Sequence, residues 1–241
     1  MSWPGGRASA SILAAALILG AAPAVQADLR FQRCKNSLSP CARLSVPLDR
    51  SGATPGRVSL FVERTRALER PSRGVVFALA GGPGQSATFS FEGDSRASFG
   101  SAFRRRDLIV FDQRGTGRSG ALRCPALQRS NLYDAGPEAE RCAEQLGARR
   151  FHYTSRDSVE DIEAIRRELG VGQITLYGTS YGVKVALGYA LTYPTNVARL
   201  VLDSVVEADG PDSLYRDTLA AVPRVLGSLC RSGCSLSLIH I

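Results

Sequence analysis

Lysine, histidine and long apolar stretches are scarce in this chain of 241 residues. Only Lys35 and Lys184 are lysines among the 30 basic residues, and the formal net charge is +8. The arginines are scattered except for Arg104-Arg105-Arg106, so the skew indicates codon bias rather than a dedicated phosphate-binding surface. No nucleic-acid-binding motif accompanies the charge, and the sequence therefore predicts no nucleic-acid partner.

The composition is that of a globular protein. Apolar residues make up 44% of the chain and charged residues 22%, which excludes a largely disordered or collagen-like chain. The same composition excludes a polytopic membrane protein, and the apolar run at 10–22 is too short to cross a bilayer comfortably. The length suits one domain of ordinary size.

Residues 1–27 have the pattern of a secretory signal peptide. Arg7 precedes the apolar run, and Val25-Gln26-Ala27 places small residues where signal peptidase cleaves, so we expect cleavage after Ala27. A retained N-terminal anchor is the alternative. The sequence thus predicts an exported protein, secreted or periplasmic, with no stable membrane anchor after cleavage.

Six cysteines agree with an oxidising destination. Many pairings are open, and nearness along the chain favours three of them: Cys34–Cys41, Cys124–Cys142 and Cys230–Cys234. Zinc binding is the competing interpretation. The chain has no CxxC and no flanking histidine pair, so no metal site is predicted.

Buried strands are predicted by apolar, β-branched runs. Residues 43–48 and 58–64 flank a turn signal and predict an early antiparallel pair. Four further runs are continuously apolar, which is typical of strands in a parallel sheet: 74–79, 107–111, 174–177 and 199–206.

Helices are predicted between these runs. Residues 157–169 carry apolar positions at helical spacing, with Asp157 and Glu160 as a capping pair. Two more helices are predicted at 181–191 and 212–229. The alternation of strands and helices predicts an α/β fold, in which a mostly parallel sheet is flanked by helices.

Gly178-Thr179-Ser180-Tyr181-Gly182 is a G-x-S-x-G motif between a predicted buried strand and a predicted helix. The pattern alone is weak, but the strand–turn–helix context is what a nucleophile elbow requires. The serine would lie at the carboxyl end of the sheet, where open α/β sheets bind ligands. Ser180 is therefore the predicted nucleophile, and a plain glycine-rich turn is the alternative.

Acyl transfer also needs hydrogen-bond donors for the oxyanion. The backbone N–H of Tyr181, the residue after the nucleophile, is one predicted donor. Gly81-Gly82-Pro83-Gly84 follows an earlier strand, and we favour the N–H of Gly82 as the second donor, with Gly81 as the alternative. No Gly-Lys-Ser/Thr follows these glycines, so a phosphate-binding loop is excluded and no cofactor is predicted.

Three motifs follow one another along the chain: Gly81-Gly82-Pro83-Gly84-Gln85-Ser86, Asp112-Gln113-Arg114-Gly115-Thr116-Gly117-Arg118-Ser119 and Gly178-Thr179-Ser180-Tyr181-Gly182. Together they closely resemble the α/β-hydrolase family of proline iminopeptidases and secreted tripeptidyl aminopeptidases. The resemblance extends over the mature chain to about residue 234. It implies an α/β-hydrolase fold, Ser180 as nucleophile, Gly82 and Tyr181 as oxyanion donors, and hydrolysis of a peptide substrate at its free N-terminus.

A serine nucleophile needs a base that is oriented by an acid, and in this fold the chain order is Ser, then Asp or Glu, then His. His152 precedes Ser180, and His240 is the penultimate residue, so neither fits. Asp203 is an alternative acid, although a structural aspartate is the simpler interpretation. Asp112 is predicted to organise its loop. The triad acid and base are therefore predicted to be not present in this chain.

The simplest account is an N-terminal fragment of a longer protein. Residues 28–234 would form the first portion of the hydrolase domain, with the lid and last strands missing, and 235–241 an atypical tail that resembles foreign read-through. The fragment is expected to be nearly inactive and its full-length parent to be an exported serine aminopeptidase. An exported esterase or lipase-like hydrolase, and a non-catalytic binding protein of the same fold, are the alternatives.

Overall fold

A computed structural model describes residues 29–35, 37–91, 101, 104–131, 135–206 and 216–229. Its strands are β1 (Cys41–Pro47), β2 (Arg57–Thr65), β3 (Val75–Leu79), β4 (Asp107–Phe111), β5 (Ile174–Thr179) and β6 (Val197–Asp203). They form one sheet in the order β1-β2-β4-β3-β5-β6. The pairs β1–β2 and β2–β4 are antiparallel, and β4, β3, β5 and β6 are parallel. The predicted mostly parallel α/β sheet is confirmed.

The helices are α1 (Ala87–Ser90), α2 (Pro125–Arg129), α3 (Gly136–Leu146), α4 (Ser155–Glu168), α5 (Tyr181–Thr192) and α6 (Arg216–Leu229). Short 3₁₀ turns span Gly147–His152 and Pro194–Asn196. Within the described ranges, no helix is long and apolar enough to cross a membrane.

The core lies against the parallel strands. β4 is buried along its whole length and β3 along all but its first residue, as their continuous apolar runs predict. β1 instead alternates between buried and exposed positions, which suits a strand with one face in solvent. Phe77 and Phe111 meet edge to face, with their ring centroids 6.5 Å apart. Helix α5 buries Val183, Val185, Ala186 and Tyr189.

The start of α4 differs from the prediction. Thr154 has an extended backbone and caps the helix, because its Oγ1 accepts a hydrogen bond from the backbone N–H of Asp157 at 3.2 Å. The Asp157 carboxylate in turn accepts the backbone N–H of Thr154 at 3.2 Å. The predicted capping pair of Asp157 and Glu160 is therefore wrong. Asp157 is the partner of the cap, and Glu160 accepts the Tyr193 hydroxyl at 2.9 Å.

Two disulfides are formed, Cys34–Cys41 and Cys124–Cys142, and both predicted pairings are confirmed. The third predicted pair, Cys230–Cys234, lies outside the described residues. So do the predicted signal peptide at 1–27, the tail at 235–241 and the first part of the predicted helix 212–229.

Candidate active site

Ser180 lies in a strained turn between β5 and α5. Its φ of 53° is positive, a conformation that costs free energy in any residue with a Cβ. Two backbone hydrogen bonds hold it there. The N–H of Ser180 donates to the carbonyl of Asp203 at 2.9 Å, and the N–H of Val183 donates to the carbonyl of Ser180 at 2.9 Å. Strain of this kind, held by its surroundings, is the geometry of a nucleophile elbow.

The two glycines of the motif are required by close backbone contacts. A Cβ on Gly178 would lie 2.6 Å from the carbonyl oxygen of Gly182. A Cβ on Gly182 would lie 2.3 Å from the carbonyl oxygen of Leu79, at the end of β3. Both contacts are shorter than real Cβ atoms make, and backbone cannot swing aside as a side chain can. The strand β3 and the start of α5 therefore approach each other only because these positions lack side chains.

The glycine loop after β3 lies directly against the serine. A Cβ on Gly81 would lie 3.0 Å from the Cβ of Ser180 and 3.3 Å from the carbonyl oxygen of Thr179. Gly82 has a φ of 108° and precedes a cis proline, Pro83. Gly82, whose N–H is the predicted second oxyanion donor, therefore directly follows Gly81, the glycine that packs against Ser180.

Tyr181 is the first residue of α5, where a backbone N–H has no acceptor within the helix. The N–H of Tyr181 can therefore donate a hydrogen bond to a negative charge that develops in front of the helix. Its side chain is used elsewhere, since the hydroxyl lies 2.9 Å from Oγ of Ser155 at the start of α4. The amides of Gly82 and Tyr181 remain the predicted oxyanion donors.

Asp112, at the end of β4, ties two of the motif loops together. It is fully buried, and its carboxylate accepts hydrogen bonds from the Ser86 hydroxyl at 2.8 Å and the Thr88 backbone N–H at 2.9 Å. It also accepts the Arg118 backbone N–H at 2.7 Å. A Cβ on Gly117 would lie 2.2 Å from this carboxylate, which explains the glycine. Asp112 therefore organises its own loop, as predicted, and also fixes the segment that follows Gly81–Gly84.

Arg114 of the same loop is a residue that the sequence reasoning did not single out. Its buried guanidinium makes a bidentate pair with Asp161 of α4, at 2.7 Å for each bond. It also donates to the carbonyls of Leu48 and His152, at 2.9 and 2.8 Å. Burial alone would lower the pKa of Arg114, but the bonds to Asp161 raise it. This network joins the loop to α4 and to the turn after β1.

The carboxylate of Asp203, the alternative triad acid, accepts two hydrogen bonds beside the elbow. It accepts the Tyr177 hydroxyl at 3.0 Å and the Ser204 hydroxyl at 3.0 Å. Burial raises the pKa of Tyr177, and the hydrogen bond that it donates to Asp203 raises it further. Since the backbone carbonyl of Asp203 also holds the N–H of Ser180, this residue supports the turn from the neighbouring strand.

The described contacts of His152 are with residues outside the serine motif. Its Nε2 lies 2.9 Å from the Thr54 hydroxyl, and its backbone carbonyl accepts Arg114. His240 lies outside the described residues. The absence of a triad base and acid from this chain therefore stays a prediction. In the part of the chain that the structure covers, no three His, Cys, Asp or Glu side chains converge as metal ligands would.

Comparison with known proteins identifies the family. Residues 74–229, which include all three motifs, match the family described as the alpha/beta hydrolase fold. The match covers more than half of the chain, so the chain belongs to this family. The fold class and the family resemblance predicted from the motifs are both confirmed.

Two relatives bear peptidase names. The chain is 26% identical over 228 residues to a tripeptidyl aminopeptidase of Streptomyces coelicolor, covering 83% of this chain and 42% of that protein. It is 31% identical over 150 residues to a proline iminopeptidase of Neisseria meningitidis serogroup B, covering 62% of this chain and 38% of that protein. The chain thus spans about two fifths of the length of these relatives.

A solved proline iminopeptidase of Mycobacterium smegmatis is among the structures similar to this chain, with a TM-score of 0.42 and 19% identity. The likeness covers 66% of this chain and 42% of that one.

Proposed function

We propose that the protein carrying this chain is an exported serine aminopeptidase, which releases residues or short peptides from peptide N-termini through an acyl-enzyme on Ser180. The observation that carries the proposal is the elbow itself. Ser180 has a positive φ between β5 and α5, and the glycine loop after β3 lies against it. Strained backbone persists only where the surrounding structure enforces it, and it is concentrated at active sites. A strained turn between a strand and a helix is how this fold presents a nucleophile.

The chemistry would proceed in two acyl-transfer steps. Oγ of Ser180 attacks the carbonyl carbon of the scissile peptide bond, its proton passes to a base, and the carbonyl oxygen becomes an oxyanion facing the amides of Gly82 and Tyr181. The C–N bond then breaks, the leaving amine takes the proton, and water hydrolyses the ester on Ser180. The base and its acid partner are not among the described contacts of Ser180, so turnover belongs to the proposal for the whole protein.

Relatives named tripeptidyl aminopeptidase and proline iminopeptidase support a peptide substrate over a simple ester. Export is supported by the two disulfides, which form and persist in oxidising compartments. The predicted signal peptide at 1–27 supports the same destination.

Hydrolysis assays on the protein secreted from its native gene test the proposal. We expect release of nitroaniline from aminoacyl or tripeptidyl nitroanilides with a free N-terminus, and little from the same peptides when N-acetylated. Ser180→Ala should lower kcat/KM by a factor of about 1000 or more, because it removes the nucleophile. Ser130→Ala is the control, because the described hydrogen bond of this hydroxyl goes to the carbonyl of Leu127 at the end of its own helix, and the variant should retain the parent rate.

The outcomes separate the competing functions. Turnover of nitrophenyl esters alone would replace the peptidase with an esterase. Peptide binding that Ser180→Ala leaves unchanged, without turnover of any substrate, would indicate the non-catalytic binding protein. Labelling by a fluorophosphonate at a serine other than Ser180 would also contradict the proposal.

A further inference from the structure

A cavity of about 370 Å³ lies at the edge of the sheet opposite Ser180. It is lined by Glu69, Ser101 and four arginines: Arg73, Arg104, Arg105 and Arg106. Arg106 immediately precedes β4, and Arg73 lies two residues before β3. β3 and β4 are parallel neighbours, so these residues lie together at the amino edge, whereas Ser180 follows the carboxyl end of β5.

Backbone hydrogen bonds connect the two segments that carry the arginines of the cavity. The N–H of Glu69 donates to the carbonyl of Arg104 at 2.8 Å, and the N–H of Arg73 donates to the carbonyl of Arg105 at 2.6 Å. One step further, the N–H of Asp107 donates to the carbonyl of Gly74 at 3.0 Å. These three bonds join the segment before β3 to the segment before β4, so the arginine side chains start from fixed positions.

Among the described lining residues the charge is one-sided, because the guanidinium groups of Arg73, Arg104 and Arg105 face the single carboxylate of Glu69. Glu69 accepts Nε of Arg104 at 2.9 Å on one oxygen and Nε of Arg105 at 2.5 Å on the other. These hydrogen bonds hold the pKa of Glu69 below its usual value, so it stays ionised at neutral pH. Among the described residues Arg73 has no ion-pair partner, and neither Arg104 nor Arg105 pairs with a second carboxylate.

Glu69 orients the two arginines without neutralising the cavity. Each guanidinium uses Nε toward Glu69 and retains terminal amino groups for another acceptor. The arginine side chains are accessible to a ligand from solvent, with exposures of 57% for Arg104 and 48% for Arg105. Planar guanidinium forks match the oxygens of a phosphate group, and several forks around one concavity suit a multiply charged oxyanion.

We propose that this cavity binds a phosphate group, held by Arg73, Arg104 and Arg105 and distinct from the site at Ser180. The group comes either from a free phosphate or from the headgroup of an anionic phospholipid. The proposal departs from the expectation that the arginine skew of this chain reflects codon bias rather than a phosphate-binding surface. It does not depend on the proposed peptidase function.

Calorimetric titration of the purified chain with inorganic phosphate at low ionic strength tests the proposal. We expect saturable binding that weakens as sodium chloride is added, because partly exposed charges are screened by salt. R104Q/R105Q should weaken binding by about tenfold or more, since it removes two sets of charge-assisted hydrogen bonds. R149Q/R150Q removes two neighbouring exposed arginines elsewhere and should bind phosphate as the parent does.

A second variant, R73Q, tests the proposal without removing either ion pair of Glu69. R73Q leaves both bonds between Glu69 and its arginines in place, so it should keep the parent's circular dichroism spectrum and unfolding midpoint while binding phosphate more weakly. Circular dichroism of R104Q/R105Q shows whether its loss of binding follows from lost structure, in which case R73Q alone decides.

Vesicles distinguish the two sources of phosphate. Sedimentation with phosphatidylglycerol vesicles but not phosphatidylcholine vesicles, lost in R73Q and kept in R149Q/R150Q, would identify a lipid headgroup. Binding of free phosphate without vesicle binding would identify a small ligand. Absence of both, or phosphate binding that is unchanged in R73Q and in folded R104Q/R105Q, would overturn the proposal.

Discussion

Strand β4 is bracketed by two buried carboxylates that are held in different ways. Asp107, its first residue, accepts Nε and Nη2 of Arg64 at 3.0 and 2.6 Å and the backbone N–H of Ala67 at 2.9 Å. Asp112, which follows its last residue, accepts only neutral donors among its described contacts: Ser86, Thr88 and the backbone of Arg118. The carboxylate of Asp107 is thus compensated by a positive charge, whereas the carboxylate of Asp112 is compensated by the dipoles of hydroxyl and N–H groups.

The difference follows from what each end of the sheet positions. A buried charge must be compensated, and an arginine does this with some tolerance because its long side chain can adjust. Hydroxyls and backbone amides compensate a carboxylate only when several of them converge with good geometry. Asp112, beside the glycine loop at the carboxyl edge, therefore depends on close fit, whereas Asp107, at the amino edge, depends on an opposite charge.

The largest expected effect comes from filling space beside Asp112. Gly117→Ala places a Cβ 2.2 Å from the Asp112 carboxylate at a φ of 42°, so it adds a clash to backbone strain. We expect a loss of about 3 kcal/mol or more in the free energy of unfolding. Urea unfolding followed by far-UV circular dichroism measures it.

Gly120→Ala is the matched control for that substitution. Gly120 also has a positive φ, of 75°, but no atom lies within 4 Å of the place that a Cβ would take there. It should cost only about 1 kcal/mol, which is the backbone strain alone. Equal losses for the two variants would show that the fit around Asp112 is not the cause.

Asp112→Asn should have the next largest effect. The amide keeps the shape of the carboxylate but turns one acceptor into a donor, which leaves a buried hydroxyl or N–H of Ser86, Thr88 or Arg118 without an acceptor. We expect a loss of about 2–3 kcal/mol, measured by urea unfolding at neutral pH. A loss no greater than that of Asp107→Asn under the same conditions would contradict the comparison.

Asp107→Asn should cost less, and its cost should depend on pH. Arg64 is 30% exposed and can be hydrated when its partner is removed, so we expect about 1 kcal/mol at neutral pH. Burial alone would raise the pKa of Asp107, but hydrogen bonds from Ala67 and Arg64 lower it. A lowered pKa gives stability that is present above the unfolded value and is lost as pH falls through the folded value.

The difference between the parent and Asp107→Asn should therefore begin to shrink below about pH 4, where Asp107 takes up a proton in the unfolded state before it does in the folded state, and the loss is complete once both states are protonated. Urea unfolding over a series of acidic pH values measures this difference. A difference that stays constant down to about pH 2 would mean that the lost stability does not come from the ionised carboxylate.

Short-range signals predicted much of this molecule. The six strands lie where apolar runs placed them, and their ends differ from the predictions by three residues at most. Nearness predicted both described disulfides. The capping of α4 was misassigned because several adjacent polar residues could serve, and only the extended backbone of Thr154 selects it.

Charged residues inside the core were harder to predict. Asp161 and Glu163 lie on buried faces of α4, and each has a partner that is remote in sequence: Arg114 for the first and the Tyr189 hydroxyl, at 2.8 Å, for the second. Glu163 also pairs with Arg166 and Arg167 of its own helix. Asp161 interrupts an apolar helical face, and that was the one available signal. A helical pattern shows that such a residue is buried but does not show which side chain approaches it.

The sequence by itself determined the strand and helix order, the elbow motif and the family, because these depend on local hydrophobic patterns and on glycines at fixed spacing. Only the tertiary structure decided what surrounds them. It brought the Gly81 loop against Ser180, placed Asp112 between two loops, and gathered the arginines before β3 and β4 into one cavity. These contacts join segments far apart along the chain, and their geometry is set by how parallel strands align their ends.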